Sequence, residues 1–391
     1  MMNGRFTLAR SSAFRFVLIM GVVNLFADMT YEGARSVSGP FLAYLGASGL
    51  VVGIVAGFGE FIGYGLRYIS GAAADRSGKY WTVAFVGYIV NLLAVPALAL
   101  AHTWPAAAGL IVGERFGRGI RKPATAAMLS HAGSELGQGW VFGFNEALDQ
   151  AGATIGPLIV ALIIGLNLGF NRAFAVLLIP AILALIVLAI ARREYPSPSD
   201  LEVKSTLQIT GYNNAFWIYA LAGALLAAGF ADFALISFHF SKAHIIANHA
   251  IPILYAVAML AGAVCAPFFG NLYDRFGIGI VIAVFGIAAL FAPLCFLGSF
   301  WPAVIGVLVW GLGMAAENAL LPSIIAKLVP PDKRATAIGA FDMVYGIAWF
   351  AGSVLMGALY DHSIVALVVF SLVLQIAALP LLMLASRRAL V

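Results

Sequence analysis

GAAADRSGK at residues 71–79 is the stretch from which the architecture can be read, because GNLYDRFG at 270–277 repeats its pattern of Gly, Asp-Arg and Gly some two hundred residues later. On each side of both copies the chain is apolar for a bilayer thickness or more. Apolar stretches run at 14–44, 49–74, 80–102, 105–131, 140–165 and 171–192, and again at 215–240, 248–272, 278–299, 302–328, 336–360 and 363–386. A spanning helix needs about 20 apolar residues, so twelve need about 240, which the 391 residues supply with short connections. Hydrophobic residues make up 62% of the chain and charged residues 10%, with mean hydropathy +0.99. A soluble domain is about half apolar and a quarter charged. This composition excludes a soluble enzyme, a disordered protein and a nucleic-acid binder.

The polar stretch RREYPSPSDLEVKSTLQITGYNN at 192–214 separates two sets of six apolar runs. The sequence therefore predicts an all-α integral membrane protein with twelve transmembrane helices in two pseudo-symmetric six-helix bundles. Residues 1–192 form the N-terminal bundle, 193–214 a cytoplasmic linker and 215–391 the C-terminal bundle. Most of the 22 Lys and Arg residues fall in loops and tails on the linker's side. Arg172 and Lys242 fall on the other side, and Arg35, Arg67, Arg115, Arg118, Arg121 and Lys122 lie within spans. This bias puts both termini in the cytoplasm. A net charge of +5 adds little about partners in a chain of this kind. Cys265 and Cys295 both lie in apolar runs and suggest neither a disulfide framework nor a metal site.

Further matches support duplication of a six-helix unit. Phe26-Ala27-Asp28 recurs as Phe230-Ala231-Asp232, and at the same offset Arg35 meets His239. Pro123 aligns with Pro322, which sets Arg118 opposite Glu317.

With these residues on the page, the chain resembles a major facilitator superfamily transporter of the drug/proton antiporter type along essentially its whole length. Gly71-x-x-x-Asp75-Arg76-x-Gly78-Lys79 matches that family's cytoplasmic loop signature, and Gly270, Asp274 and Arg275 belong to the shorter second copy. Ile111-x-x-x-Arg115-x-x-Arg118-Gly119 resembles the fourth-helix motif, with Arg118 where Gln is commoner. Gly143-x8-Gly152-x3-Gly156-Pro157 resembles the fifth-helix motif of antiporters, with Val160 and Ile163 in place of its later glycines. The resemblance implies a latch at the cytoplasmic loop, a monomer, a small-molecule substrate, membrane lipid as surroundings, no nucleic acid, and no cofactor beyond a proton gradient. It places the chain in a prokaryotic cytoplasmic membrane.

The residues themselves say more about the site. Gly78 suits a turn that needs positive φ. Charged side chains within spans are costly and face a cavity or one another. At about 100° per residue, Asp28, Glu32 and Arg35 share a face of the first helix, beside Asn24 and Tyr31. Glu60, Tyr64 and Arg67 share one on the second. Glu114, Arg115, Arg118, Arg121 and Lys122 form a basic stripe on the fourth, and Glu146, Asp149 and Gln150 cluster on the fifth. The second half offers Asp232, Glu317 and Asp342, no Lys or Arg within a span, and His239. Its acids must reach across to the first half or hold protons. Asp342 shares a face with Tyr345, Trp349 and Ser353. Arg35 with Glu32 or Asp28 reads equally as a static ion pair, Arg121 and Lys122 as solvated mouth residues, His239 as a hydrogen-bonded packing residue, and the Tyr345 and Trp349 rings as core. Gly156-Pro157 is expected to bend the fifth helix.

The reading these features favour is a secondary active transporter working by alternating access, proton-coupled and exporting an amphipathic small molecule. An organic-anion carrier using the basic stripe is the alternative. A membrane-embedded enzyme is remote, since no metal-ligand spacing, Gly-x-Ser-x-Gly elbow or Walker loop occurs. His131 and Glu135 read as solvated surface. A transporter-fold sensor would be expected to carry a sizeable soluble domain.

Overall fold

The computed structural model describes residues 2–196, 214–328 and 334–389. Most of the 193–214 linker lies outside them, as do the side chains of Asp75, His131, Glu135, Asp274 and Pro322 and the surroundings of Gly270. The first half comprises α1 (Met2–Arg35), α2 (Ser38–Tyr44), α3 (Gly49–Ser77), α4 (Tyr80–Ala97), α5 (Trp104–Leu136), α6 (Gln138–Gly165), α7 (Gly169–Val176) and α8 (Leu178–Glu194). The second comprises α9 (Asn214–Gly229), α10 (Phe233–Lys242), α11 (Ala250–Phe276), α12 (Ile278–Ala288), α13 (Phe291–Phe296), α14 (Phe300–Leu328), α15 (Arg334–His362) and α16 (Ile364–Ala389). The pairs α1–α2, α7–α8, α9–α10 and α12–α13 each act as one crossing with a short break, which leaves six crossings per half.

Among the described residues, 11 segments are long and apolar enough to cross a membrane. The remaining crossing is α5. Its 33 residues are ample in length, but Glu114, Arg115, Arg118, Arg121 and Lys122 interrupt its apolar character. A helix carrying these charges must turn them away from lipid, and Glu114, Arg115 and Arg121 are indeed buried. Large aliphatic residues point outward instead: Leu162, Ile179, Val264 and Val365 are all more than half exposed.

The chain packs into two compact units. One contains Met1–Ala34 and Gly65–Lys204, the other Arg35–Tyr64 and Ser205–Val391. Arg35–Tyr64 precedes the linker in sequence but packs in the second unit. Close backbone approach at small residues is the reason. A Cβ on Gly39 would strike the Ala234 carbonyl, one on Gly53 the Ser353 carbonyl, and one on Gly57 the Ser353 side chain. Helices that meet at such residues gain dispersion contacts along the backbone itself.

In the first unit, α4 and α5 cross at Gly87 and Gly117, and α1 lies on α6 where Gly152 and Gly156 meet the Leu25 and Met29 carbonyls. α6 runs through Pro157 as one helix. Phe16, Met20, Trp81, Tyr88, Met128 and Leu188 belong to its buried core. In the second unit, the break between α9 and α10 leaves carbonyls without helical partners. Ser371 Oγ and Gln375 Nε2 donate to Gly229 O at 2.6 and 3.2 Å, and Trp310 Nε1 donates to Ala231 O at 2.9 Å. Broken backbone is tolerated within a membrane only when neighbouring groups satisfy it in this way. Both copies of the loop signature place a glycine at positive φ, +63° at Gly78 and +62° at Gly277.

Candidate functional site

The first unit gathers its polar residues around α1, α4, α5 and α6. Asn24 is the hub. Its Oδ1 accepts from the Tyr88 hydroxyl at 2.6 Å and from Arg121 Nη1 at 3.5 Å, and its Nδ2 donates to Asn145 Oδ1 at 2.8 Å. Asn145 in turn reaches Asp149 at 3.4 Å. Arg121, 2% exposed, lies 3.6 Å from Asp28 and stacks over the Tyr88 ring at 4.6 Å. A guanidinium on an aromatic face gains a cation–π contact that survives desolvation. Arg121 is therefore a buried, framed residue and not a solvated one.

Arg118, one turn back on α5, and Lys122, the next residue, are less enclosed. Arg118 is half-buried with Cζ 4.4 Å from the centre of the Tyr31 ring. Lys122 is half-buried and within electrostatic reach of Arg118 and Arg67. Arg115, singled out by the fourth-helix motif, is buried against Glu114 at 3.4 Å, and Asn91 Nδ2 holds Glu114 Oε1 at 2.7 Å. The basic stripe thus divides into a buried, paired part and an accessible part. Glu32 is buried. Glu146 is exposed and accepts from Gln150 at 2.9 Å.

In the second unit, Arg35 Nη2 meets Asp232 Oδ2 at 2.9 Å and Glu60 Oε1 at 3.3 Å, all three side chains being nearly inaccessible. The second half's Asp232 therefore does draw its counter-charge from the first half, one of the two outcomes expected of it. Asp232 also caps α10, accepting from Ala234 N–H at 2.9 Å. The face shared by Glu60, Tyr64 and Arg67 is divided: Glu60 and Tyr64 belong to the second unit, Arg67 to the first. Tyr64 packs edge-on to Tyr345, with ring centres 5.9 Å apart.

Tyr345, Trp349 and Ser353 are all buried, at 5%, 3% and 3% exposure. Glu317 lies beside the Tyr345 hydroxyl. Among the described residues, Glu317 Oε1, Tyr345 Oη, Trp349 Nε1 and Ser353 Oγ form no geometrically sound hydrogen bond. Asp342, on the same helix, is half-buried. His239 is buried with Nδ1 3.0 Å from the Tyr360 hydroxyl and its ring against Phe296.

At the loop signature, Gly71 lies in contact range of Pro123, and Ser70 Oγ donates to Gly119 O at 3.0 Å. Arg76, Lys79 and Arg275 are exposed. Tyr88, Asn91, Asn145, Tyr360 and Asp361 were missed as site residues in the sequence. For Asn91 and Tyr88 a signal existed: polar groups one turn apart in an otherwise apolar helix. Nothing local marks Asp361.

Comparison with known proteins bears on the family and the fold. The model of the Major Facilitator Superfamily matches residues 17–353 and 233–389. An uncharacterised protein of Mycobacterium tuberculosis is 40% identical over 378 residues, covering 94% of this chain and 92% of its own. An uncharacterised MFS-type transporter of Methanocaldococcus jannaschii is 26% identical over 359 residues, covering 89% of each chain. Among solved structures, a nucleoside transporter NupG variant superimposes with TM-score 0.78 at 14% identity, over 94% of this chain and 99% of that one. A bacterial homologue of the human lysosomal transporter Spinster, inward-facing and occupied, gives 0.76 at 15% identity, over 95% and 96%. At such identity the structures speak for the fold alone. Matched along its length, with membrane-spanning helices and charges turned inward, this chain is an integral membrane transporter and belongs to the Major Facilitator Superfamily.

Proposed function

We propose that the chain carries a small organic anion across the membrane by alternating access, with proton movement as the energy source. The observation that carries this reading is the accessible part of the α5 stripe: Arg118 poised over Tyr31, with Lys122 and Arg67 in electrostatic reach. A guanidinium lying flat on an aromatic ring points its N–H donors outward in the ring-parallel plane, the fork geometry that a carboxylate or phosphate accepts. Proton coupling is supported by carboxylates whose partners would have to change as the protein cycles, Glu60 and Asp232 around Arg35 foremost. The Lys/Arg bias supports cytoplasmic termini, and the mycobacterial and archaeal relatives support a prokaryotic cytoplasmic membrane.

Export of a cationic or neutral amphiphile is the second reading. Glu317 with Tyr345 and Trp349 favours it, being an acid with aromatic walls in a half whose span α9–α10 carries a Lys only at its end, Lys242. The experiment is proton movement in proteoliposomes with a pH-sensitive dye inside, challenged with organic anions, lipophilic cations and neutral amphiphiles. Anion-driven proton flux that Arg118→Ala lacks bears out the first reading. Flux driven only by cations or neutral amphiphiles, and lost in Glu317→Gln, replaces it with the second.

A further inference from the structure

Asp361, near the C-terminal end of α15, satisfies the start of a helix more than three hundred residues earlier. Its Oδ1 accepts from Gly49 N–H at 2.9 Å and its Oδ2 from Leu50 N–H at 2.8 Å. The first N–H groups of a helix have no intrahelical partner and are usually served by the residue just before it. In α3 that residue, Ser48, accepts at its hydroxyl from Val51 N–H at 3.2 Å and at its carbonyl from Val52 N–H at 3.1 Å. The two outermost donors are left to α15. A carboxylate at this position also faces the positive end of the helix dipole.

Below the cap, α3 and α15 meet along small residues. Side chains at Gly49, Gly53 or Gly57 would run into Tyr360 and Asp361, Ser353 and Gly357, or Ser353 and Phe350. Further along the same seam Phe58 and Phe61 lie on Phe350, with ring centres 5.8 and 6.0 Å apart, so parting it also separates these rings. The corresponding helix of the second half, α11, begins differently: its N-cap, His249, makes no side-chain capping bond. The remote cap of α3 sits at the end of that helix away from the loop signature at 71–79.

We propose that Asp361 pins a latch between α15 and the N-terminus of α3, closed in this structure and released when that end of the molecule opens. The inference rests on the alternating-access reading. It gives the protein a charge-to-helix contact at the end opposite the one implied by the loop signature. An N-cap is worth about a five- to thirtyfold shift in a two-state equilibrium. That is enough to bias the seam toward closure and little enough to let it open in each cycle.

Two measurements on the purified full-length protein in lipid nanodiscs test it, and neither requires a known substrate. In hydrogen exchange, amides 49–50 of the wild type should exchange more slowly than those at the start of α11, and Asp361→Ala should speed them about five- to thirtyfold, with Asp361→Asn in between. Exchange in α4 reports whether the variant remains folded. The second measurement is maleimide labelling of Ser353→Cys, buried under the seam, read by mass on its own peptide. Adding Asp361→Ala should raise its rate at least about fivefold. Equal labelling rates overturn the latch even if exchange at 49–50 changes, because Asp361 would then be a cap and nothing more. Wild-type amides 49–50 exchanging as fast as the start of α11 overturn the cap as well, whatever happens to α4 in the variants. Transport measured separately would stand or fall on its own.

Discussion

Phe26-Ala27-Asp28 and Phe230-Ala231-Asp232 are one tripeptide in two settings. Asp28 lies within the continuous helix α1 and can be met only from the side, by Arg121 of α5 at 3.6 Å. Asp232 stands at the break between α9 and α10, where it takes a backbone N–H from Ala234 and the guanidinium of Arg35. A carboxylate in mid-helix has no backbone donors left to it, because they are spent on the i−4 carbonyls. A carboxylate at a helix start does. Duplication preserved the residue type, and the position of the helix break changed its task.

The comparison can be broken most decisively at Arg35. Arg35→Ala leaves Glu60 and Asp232 buried without their shared cation, and removing one member of a buried ion pair costs about 3–5 kcal/mol. Thermal unfolding in detergent should show this loss, with Arg35→Lys recovering part of it; an unchanged midpoint would mean the triad is not holding the second unit. Asp28→Ala should cost less, about 1–3 kcal/mol, because Arg121 keeps its Tyr88 and Asn24 contacts. If Asp28→Ala proves as damaging as Asp232→Ala, the two settings are not energetically different. For function, Arg118→Ala should weaken anion-driven flux about tenfold or more, with Arg118→Lys intermediate, whereas the buried Arg115 should show itself mainly in stability. Gly156→Val, pressed against the Met29 carbonyl, should cost about 1–3 kcal/mol through overpacking between α1 and α6. Last and most symmetrical are Gly78→Ala and Gly277→Ala. Each places a Cβ at positive φ, a conformation that costs a side chain about 1–3 kcal/mol, and here, unlike at the aspartates, both halves should be destabilised in the same way.

Where sequence reasoning succeeded, the cause was local. Spans follow from runs of apolar residues, and the turn at Gly78 follows from a residue that tolerates positive φ. The inward facing of the α5 charges follows from the cost of exposing them to lipid. The site was legible only as a list of candidates. Helical periodicity put Arg115, Arg118 and Arg121 on one stripe, yet it could not show that Arg115 sits against Glu114, Arg121 against Asp28 and Tyr88, and that Arg118 keeps partial access. It grouped Glu60 with Arg67, which the packing assigns to different units.

Composition and repetition, then, determined by themselves that this chain is a duplicated bundle of membrane-spanning helices with charges turned inward, because those properties depend on solvent and on spacing along the chain. Partnership was decided only by the tertiary structure. Arg35 joining Glu60 and Asp232, Asp361 closing α3, and the transfer of Arg35–Tyr64 to the second unit all depend on which helices approach closely enough for small residues to let their backbones meet. That distance is set in three dimensions, between residues that no periodicity connects.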